Sequence, residues 1–225
     1  MDILEAISSR KSIRGYKKDT VPKEVITEII NMASRSPSAY NTQPWEITII
    51  TGEVLEKIKQ ANITRLNSGT TSQRETTLKP YKEKYRERQV ALAVELFRLL
   101  GFTLDDQEKK NDWAKQGYLF YNAPIGIIIS LDKSLDDQPL TLLDIGAFVQ
   151  TLCLASLSYG LATCIHDQGI MYPDVIRKFT NLSERKRMII GLSIGYPDWD
   201  FPANNLITPR EPIANFTSWC GFSKD

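Results

Sequence analysis

The stretch LDIGAFVQTLCLASLSYG, from Leu143 to Gly160, constrains the fold more than any other part of the chain. Leu143–Tyr159 reads as a helix that is apolar on nearly every side, and Gly160 fits as its C-cap. A helix without a polar face must be buried all round. In a chain of 225 residues, the easiest partner for it is a second copy of itself. The alternative is a central core helix.

The segments around it alternate between helix and strand. Residues 2–9 place Ile3, Leu4 and Ile7 on one helical face, with Asp2 near the start. Arg10 to Tyr16 leaves that pattern. A second helix begins after Thr20, with Pro22 in its first turn and Val25, Ile26, Ile29, Ile30 and Ala33 as its apolar face. Glu46–Thr51 alternates as a strand does and stops at Gly52. Leu55–Ala61 suggests a short helix. Residues 62–88 are polar and poor in branched apolar side chains, as in a lid or mobile insert, or equally a solvated loop before a charged helix. Helices are expected at 89–100 and 107–118, the second containing Trp113. Pro124–Leu131 and Met188–Ile194 read as buried strands, Ala162–Ile165 as a short strand and Pro173–Phe179 as a helix. The tail, 198–225, is rich in Pro and Asn. Few strands separated by helices point to an α+β or α/β class.

Composition excludes several functions. With 28 basic and 27 acidic residues the formal net charge is +1, which makes no bulk electrostatic case for nucleic acid or an anionic membrane. The three cysteines, Cys153, Cys164 and Cys220, are odd in number and lack metal-type spacing, so reduced thiols and no metal are expected. His166 is the only histidine. A histidine-based zinc site or Ser-His-Asp triad would have to rest on it alone. The N-terminus lacks a secretory core, and no run approaches the ~18 apolar residues of a membrane span. A soluble cytoplasmic protein is expected.

Neither GxGxxG nor GxxxxGK[ST] occurs. Arg10, Lys11, Ser12 and Arg14 form a compact basic and hydroxyl cluster whose forks match phosphate oxygens. Such a run also suits a plain solvated face. In the loop SPSAYNTQPW, Ser36, Ser38, Asn41 and Gln43 offer donors and acceptors. Helix caps and turns explain the same residues.

In order along the chain stand RKSIR, SPSAYNTQPW, DIGAFVQTLCLASLSYGLATC, GLSIGYPD and TPREP. This ordered set resembles the FMN-dependent nitroreductase family over residues 8 to about 222. The resemblance implies an α+β fold of three layers, a central mixed or antiparallel sheet flanked by helices, in an intertwined homodimer. It implies one nitroreductase-like FMN-binding domain over 1–225, with 62–88 as a lid or insert and 198–225 as a C-terminal extension. Two FMN molecules would lie at the dimer interface, and NADH or NADPH would be the reductant.

By the same resemblance, Arg10 and Ser12 hold the FMN phosphate, with Lys11 beside them and Arg210 as a second phosphate partner. Arg14 lies near the N1/O2 edge, where a cation stabilises the negative charge of reduced flavin. Pro37, Ser38 and Asn41 contact the cofactor from the neighbouring subunit, and Trp45 packs in the core. Gln168 and Gly169 are the choices for the backbone N–H facing N5, with His166 near the ring or merely packing. The helix carrying Asp144 and Gln150 lines the dimer interface. No side-chain acid is required, since hydride passes through N5 in a ping-pong sequence to a nitroaromatic or quinone.

Alternatives stay open on the same cofactor. Arg74, Lys79, Tyr81, Lys84, Tyr85 and Arg88 suit a cover over an aromatic or anionic acceptor. Glu75, Tyr81 and Lys84 suit the zwitterion clamp of a reductive dehalogenase, and enone reduction is a further option. A non-catalytic flavin-binding protein would carry the same basic cluster and loop.

Overall fold

A computed structural model describes residues 2–76 and 79–222. Thr77 and Leu78, inside the expected insert, and residues 223–225 of the expected extension lie outside the described residues. Among the described residues, seven α-helices and four strands run in the order α1 (Ile3–Ser9), α2 (Lys23–Ala33), β1 (Glu46–Thr51), α3 (Gly52–Asn67), α4 (Glu83–Leu99), α5 (Gln107–Tyr118), β2 (Ile125–Asp132), α6 (Leu140–Leu157), β3 (Ala162–His166), α7 (Pro173–Thr180) and β4 (Lys186–Gly195). The sheet has the order β1-β2-β4-β3 and is antiparallel throughout. The class is α+β.

β2 reads IGIIISLD because both of its faces are covered. Seven of its eight residues are buried. Ile125, Ile127, Ile129 and Leu131 join Leu192 and Ile194 of β4 against Ile26, Ile29, Phe148 and Leu152 of α2 and α6. Ile128 points the other way, into Ile50, Leu55, Ile58, Val175, Ile176 and Met188. The period-two pleat therefore feeds two cores from one strand, giving helix, sheet and helix layers. Each fully buried isoleucine contributes roughly 1.5–3 kcal/mol. A third, smaller cluster joins α4 and α5 to the tail through Leu96, Trp113, Phe201, Ala203 and Leu206.

Local chemistry sets several helix ends. Asp2 accepts the Glu5 N–H at 2.8 Å, and Asp106 accepts the Lys109 N–H at 3.0 Å. Gly160 takes φ +69° just after α6, where a side chain would be strained. Pro173 opens α7, and Asn181 closes it in the left-handed region.

Four expectations change. The short helix at 55–61 is α3, 16 residues long and ending at Asn67. It extends into the polar segment because Asn62 is buried and donates to the carbonyls of Tyr118 and Gly169. The helix expected at 89–100 starts at Glu83. α6 is not buried all round in one chain: Leu142, Leu143, Gly146 and Gln150 are exposed. With 18 residues and a mean hydropathy of 1.7, α6 has the length and apolarity to cross a membrane, which the sequence reading did not allow for. Burial against α2 and the sheet accounts for the apolarity of its inner side.

Candidate functional site

Arg10 to Tyr16 is an extended strap laid along the open edge of β3. The Ile13 N–H donates to the Thr163 carbonyl at 3.0 Å, and the Lys17 N–H donates to the Tyr196 carbonyl at 2.9 Å. Ile13 is fully buried, which turns its neighbours Ser12 and Arg14 to the other side of the strap. From the tail, the buried Asn204 accepts the Arg14 N–H at 2.7 Å. It donates to the carbonyls of Gly15 at 2.8 Å and Asp198 at 2.7 Å. A Cβ on Gly15 would lie 2.4 Å from the Phe201 ring, so only glycine lets the strap pass beneath the tail.

Arg10, Ser12 and Arg14 are half-buried and stand together beside β3. Among the described residues neither guanidinium forms an ion pair. Burial pushes the Cys164 thiol up to about 11, while the Arg14 charge, the Ser12 hydroxyl and Arg10 draw it back. Burial likewise raises the Tyr121 hydroxyl, and Arg14 opposes it. Two uncompensated cations and a hydroxyl on one rigid strap are a donor set suited to a phosphate dianion. Lys11 differs, since its Nζ lies 5.2 Å above the Trp199 ring.

The loop at 36–45 is pinned to α6. The Ser36 hydroxyl donates to Thr151 Oγ1 at 2.8 Å, and the Ala39 N–H meets both carboxylate oxygens of Asp144 at 3.2 Å. Tyr40, Asn41 and Gln43 all adopt positive φ. Ser38 Oγ accepts the Gln43 N–H at 3.0 Å and keeps its own proton to donate. Pro37 and Asn41 are exposed, Ser38 is half-buried and Tyr40 is 99% exposed. Trp45 stacks on Phe148 at 4.9 Å and serves the core.

Gln168 and Gly169 form a tight turn after β3. Cβ atoms on Gly169 and Gly117 would lie 2.6 Å from Phe120 and 2.7 Å from Gln168, so both glycines permit close approach. The Gly169 N–H donates to His166 Nδ1 at 3.4 Å. Of the two residues, Gln168 has the N–H without an intrachain acceptor among the described residues. His166 is buried, with Phe120 and Tyr121 edge-on at 5.1 and 5.4 Å. Burial first, then Arg14, lowers its pKa to about 3, so it is neutral at ordinary pH.

Arg210 stands apart. It is exposed and donates to Thr208 and Pro209 on the wall of a cavity of 820 Å³ between α4 and the tail. Among the described residues, no hydrogen bond or ion pair joins the strap, the 36–45 loop and Arg210. The expected insert divides into parts. Its first residues end α3 and its last begin α4. Between them, Arg74 pairs with Asp167 at 2.8 Å and the Gln73 N–H donates to the Met171 carbonyl at 3.0 Å. Glu75 is spent on Arg177 at 3.0 Å and on the Met188 N–H at 2.7 Å. Tyr81 and Tyr85 are exposed, and Arg88 pairs with Glu211 at 2.9 Å. Sequence reasoning missed Asn204, Asn62 and Ser193. The one signal that could have exposed Ser193 is its place amid a buried strand.

A family model described as "Nitroreductase family" matches residues 7–196. The chain is 30% identical to a 4-nitrobenzoate reductase of Pseudomonas putida over 223 residues, 99% of this chain and 97% of that one. It is 28% identical to a nitrobenzene nitroreductase of Ectopseudomonas oleovorans over 218 residues, 96% of this chain and 95% of that one. The crystal structure of an FMN and NADPH-dependent nitroreductase NfnB from Sphigopyxis sp. strain HMH superposes with a TM-score of 0.94 at 27% identity. It covers 99% of this chain and 100% of that one.

Proposed function

The chain belongs to the nitroreductase family, and from that premise we propose how its own residues serve the FMN-dependent, NAD(P)H-driven reduction of nitroaromatic compounds. When bound, FMN supplies the electron store between the nicotinamide and the acceptor. Arg10 and Ser12 bind the phosphate, with Lys11 lending charge at the edge. Arg14 faces the end of the ring where negative charge develops, and its cation favours that charge. Gln168 and Gly169 border the ring, and the Gln168 N–H is the donor free to meet it. Pro37, Ser38 and Asn41 complete the site from a second copy, and Arg210 is a second phosphate partner reached from the tail. The loop is pinned to α6 and, among the described residues, makes no hydrogen bond to the strap of its own chain, which supports that arrangement. We read residues 1–225 as one FMN-binding domain with 198–225 as its extension. Two buried and one exposed free cysteine suit a reducing, cytoplasmic setting.

The observation that carries this reading is the pair of half-buried guanidiniums, Arg10 and Arg14, with no carboxylate partner among the described residues. The engagement of Glu75 by Arg177 and Met188 weighs against a zwitterion clamp, and so against the dehalogenase reading. The test is an absorption spectrum under anaerobic NADH, then NADPH, then 4-nitrobenzoate. Flavin bands that bleach and return support the reading. Bands that never bleach with either nicotinamide point to a flavin carrier, and a protein that refuses added FMN overturns the site.

A further inference from the structure

The hydrogen bonds around His166 can be satisfied in only one way. The Ser193 hydroxyl donates its proton to the Phe120 carbonyl at 2.8 Å. A hydroxyl has one proton, so toward His166 Nε2, 2.9 Å away, Ser193 can only accept. Nε2 therefore carries the imidazole proton. Nδ1 is left as an acceptor, and it meets the Gly169 N–H at 3.4 Å. The carbonyl of the same glycine accepts from Asn62 Nδ2 at 3.1 Å. Both polar groups of Gly169 are thus held by buried side chains, and the rings of Phe120 and His166 leave no room for a Cβ there.

We propose that His166 is a positioning residue: in its neutral Nε2–H tautomer it holds the Gly169 N–H and so sets the Gln168–Gly169 turn against the cofactor. This rests on the reading above that the turn borders FMN. The relay runs Gly169 N–H to Nδ1, Nε2–H to Ser193 Oγ, and Ser193 O–H to the Phe120 carbonyl. Its effect is to turn the Gly169 N–H inward and leave the Gln168 N–H outward. Arg14 is the charge that acts on the imidazole, and the Tyr121 ring meets that imidazole edge-on at 5.4 Å.

Two substitutions separate the two ends of the relay. Asparagine places its carbonyl where Nδ1 stands, and glutamine places its amide N–H where Nε2–H stands. His166→Asn therefore keeps the bond to Gly169 and loses that to Ser193, while His166→Gln does the reverse. In the FMN-free protein, amide exchange at Gly169 should be about tenfold faster in His166→Gln and close to wild type in His166→Asn. With FMN added, the visible circular dichroism of the flavin should change in His166→Gln more than in His166→Asn. Because the chain has one histidine, its two ring nitrogens give two unambiguous signals in a long-range proton–nitrogen spectrum. That measurement uses the wild-type protein and survives a variant that fails to fold. An Nδ1–H tautomer, an imidazolium at neutral pH, or equal Gly169 exchange in both variants would overturn the proposal. Loss of Gly169 protection with unchanged flavin dichroism would instead show that the bond exists but the turn lies away from the cofactor. That outcome removes the placement of the turn and leaves the phosphate strap untouched.

Discussion

Arg10 contributes nothing visible to the fold of one chain: it has no ion pair among the described residues, and its backbone N–H does the work of closing α1. Arg10→Ala should therefore leave the urea midpoint unchanged and weaken FMN by about 1.5–3 kcal/mol, the worth of a charge-assisted hydrogen bond. A fluorescence titration checks this, and an unchanged affinity removes Arg10 from the site. His166 behaves oppositely, since it is bound into the core. Its folded pKa of about 3 lies below the unfolded value of 6.5. Between those values the unfolded chain takes up a proton that the folded chain refuses. The stabilising term is thus complete above pH 6.5 and is lost as pH falls toward 3, by about 1.4 kcal/mol per pH unit. Urea unfolding at pH 7 and pH 5 should show a steeper loss in the wild type than in His166→Gln, which has no group to titrate. Equal losses would mean that the ring reaches water.

At the scale of elements, the strap is the clearest case of local sequence leaving structure undetermined. RKSIR looks like a loop after a helix. It becomes a fixed edge because Asn204, 190 residues from Arg14, ties it down. Asn204→Ala removes three hydrogen bonds and leaves the Gly15 and Asp198 carbonyls and the Arg14 N–H without this partner. A loss of about 3 kcal/mol in urea unfolding is expected, together with weaker FMN binding. A lowered midpoint with unchanged FMN affinity would show that the strap keeps its shape without the tail. The segment at 68–76 teaches a related lesson. Its polarity suggests mobility, yet Arg74 and Glu75 find partners on the turn after β3, α7 and β4. Polar composition marks a segment that avoids apolar burial, and says nothing about ion pairs with distant elements.

For the whole molecule, the unsolved surface is α6. Its inner side carries Asp144, Ile145, Phe148 and Leu152, all buried. Its outer side carries Leu143 at 69% exposure, then Gly146 and Gln150. α1 adds exposed Ile3, Leu4 and Ile7, and the tail adds exposed Phe216 and Trp219. So much apolar surface on one chain is characteristic of a face awaiting a partner, and a second copy is the partner proposed. Leu143→Glu places a charge in that face. The variant should sediment as a monomer at micromolar concentration and lose most FMN affinity, since in the proposed arrangement the second copy supplies the 36–45 loop. A Leu143→Glu dimer with normal FMN would put the interface elsewhere.

The buried strands were legible because each needs only its own residues to be recognised. β2 and β4 carry mainly apolar, isoleucine-rich runs, and α5 spans the residues expected for it. The five ordered motifs carried the family, and with it the cofactor and the reaction class. Residue types alone marked Arg10, Lys11, Ser12 and Arg14 as a cluster suited either to a phosphate or to a solvated face, and the resemblance chose between the two. The tertiary structure decided the rest. Burial and edge contacts turned His166 into a neutral acceptor, pairing with Arg177 engaged Glu75, which on composition also suited a zwitterion clamp, and packing against β2 and α2 covered one side of α6 only. The physical reason is common to all three. Charge state, hydrogen-bond partner and exposure belong to the space around a residue, and that space is filled by segments far away in the chain.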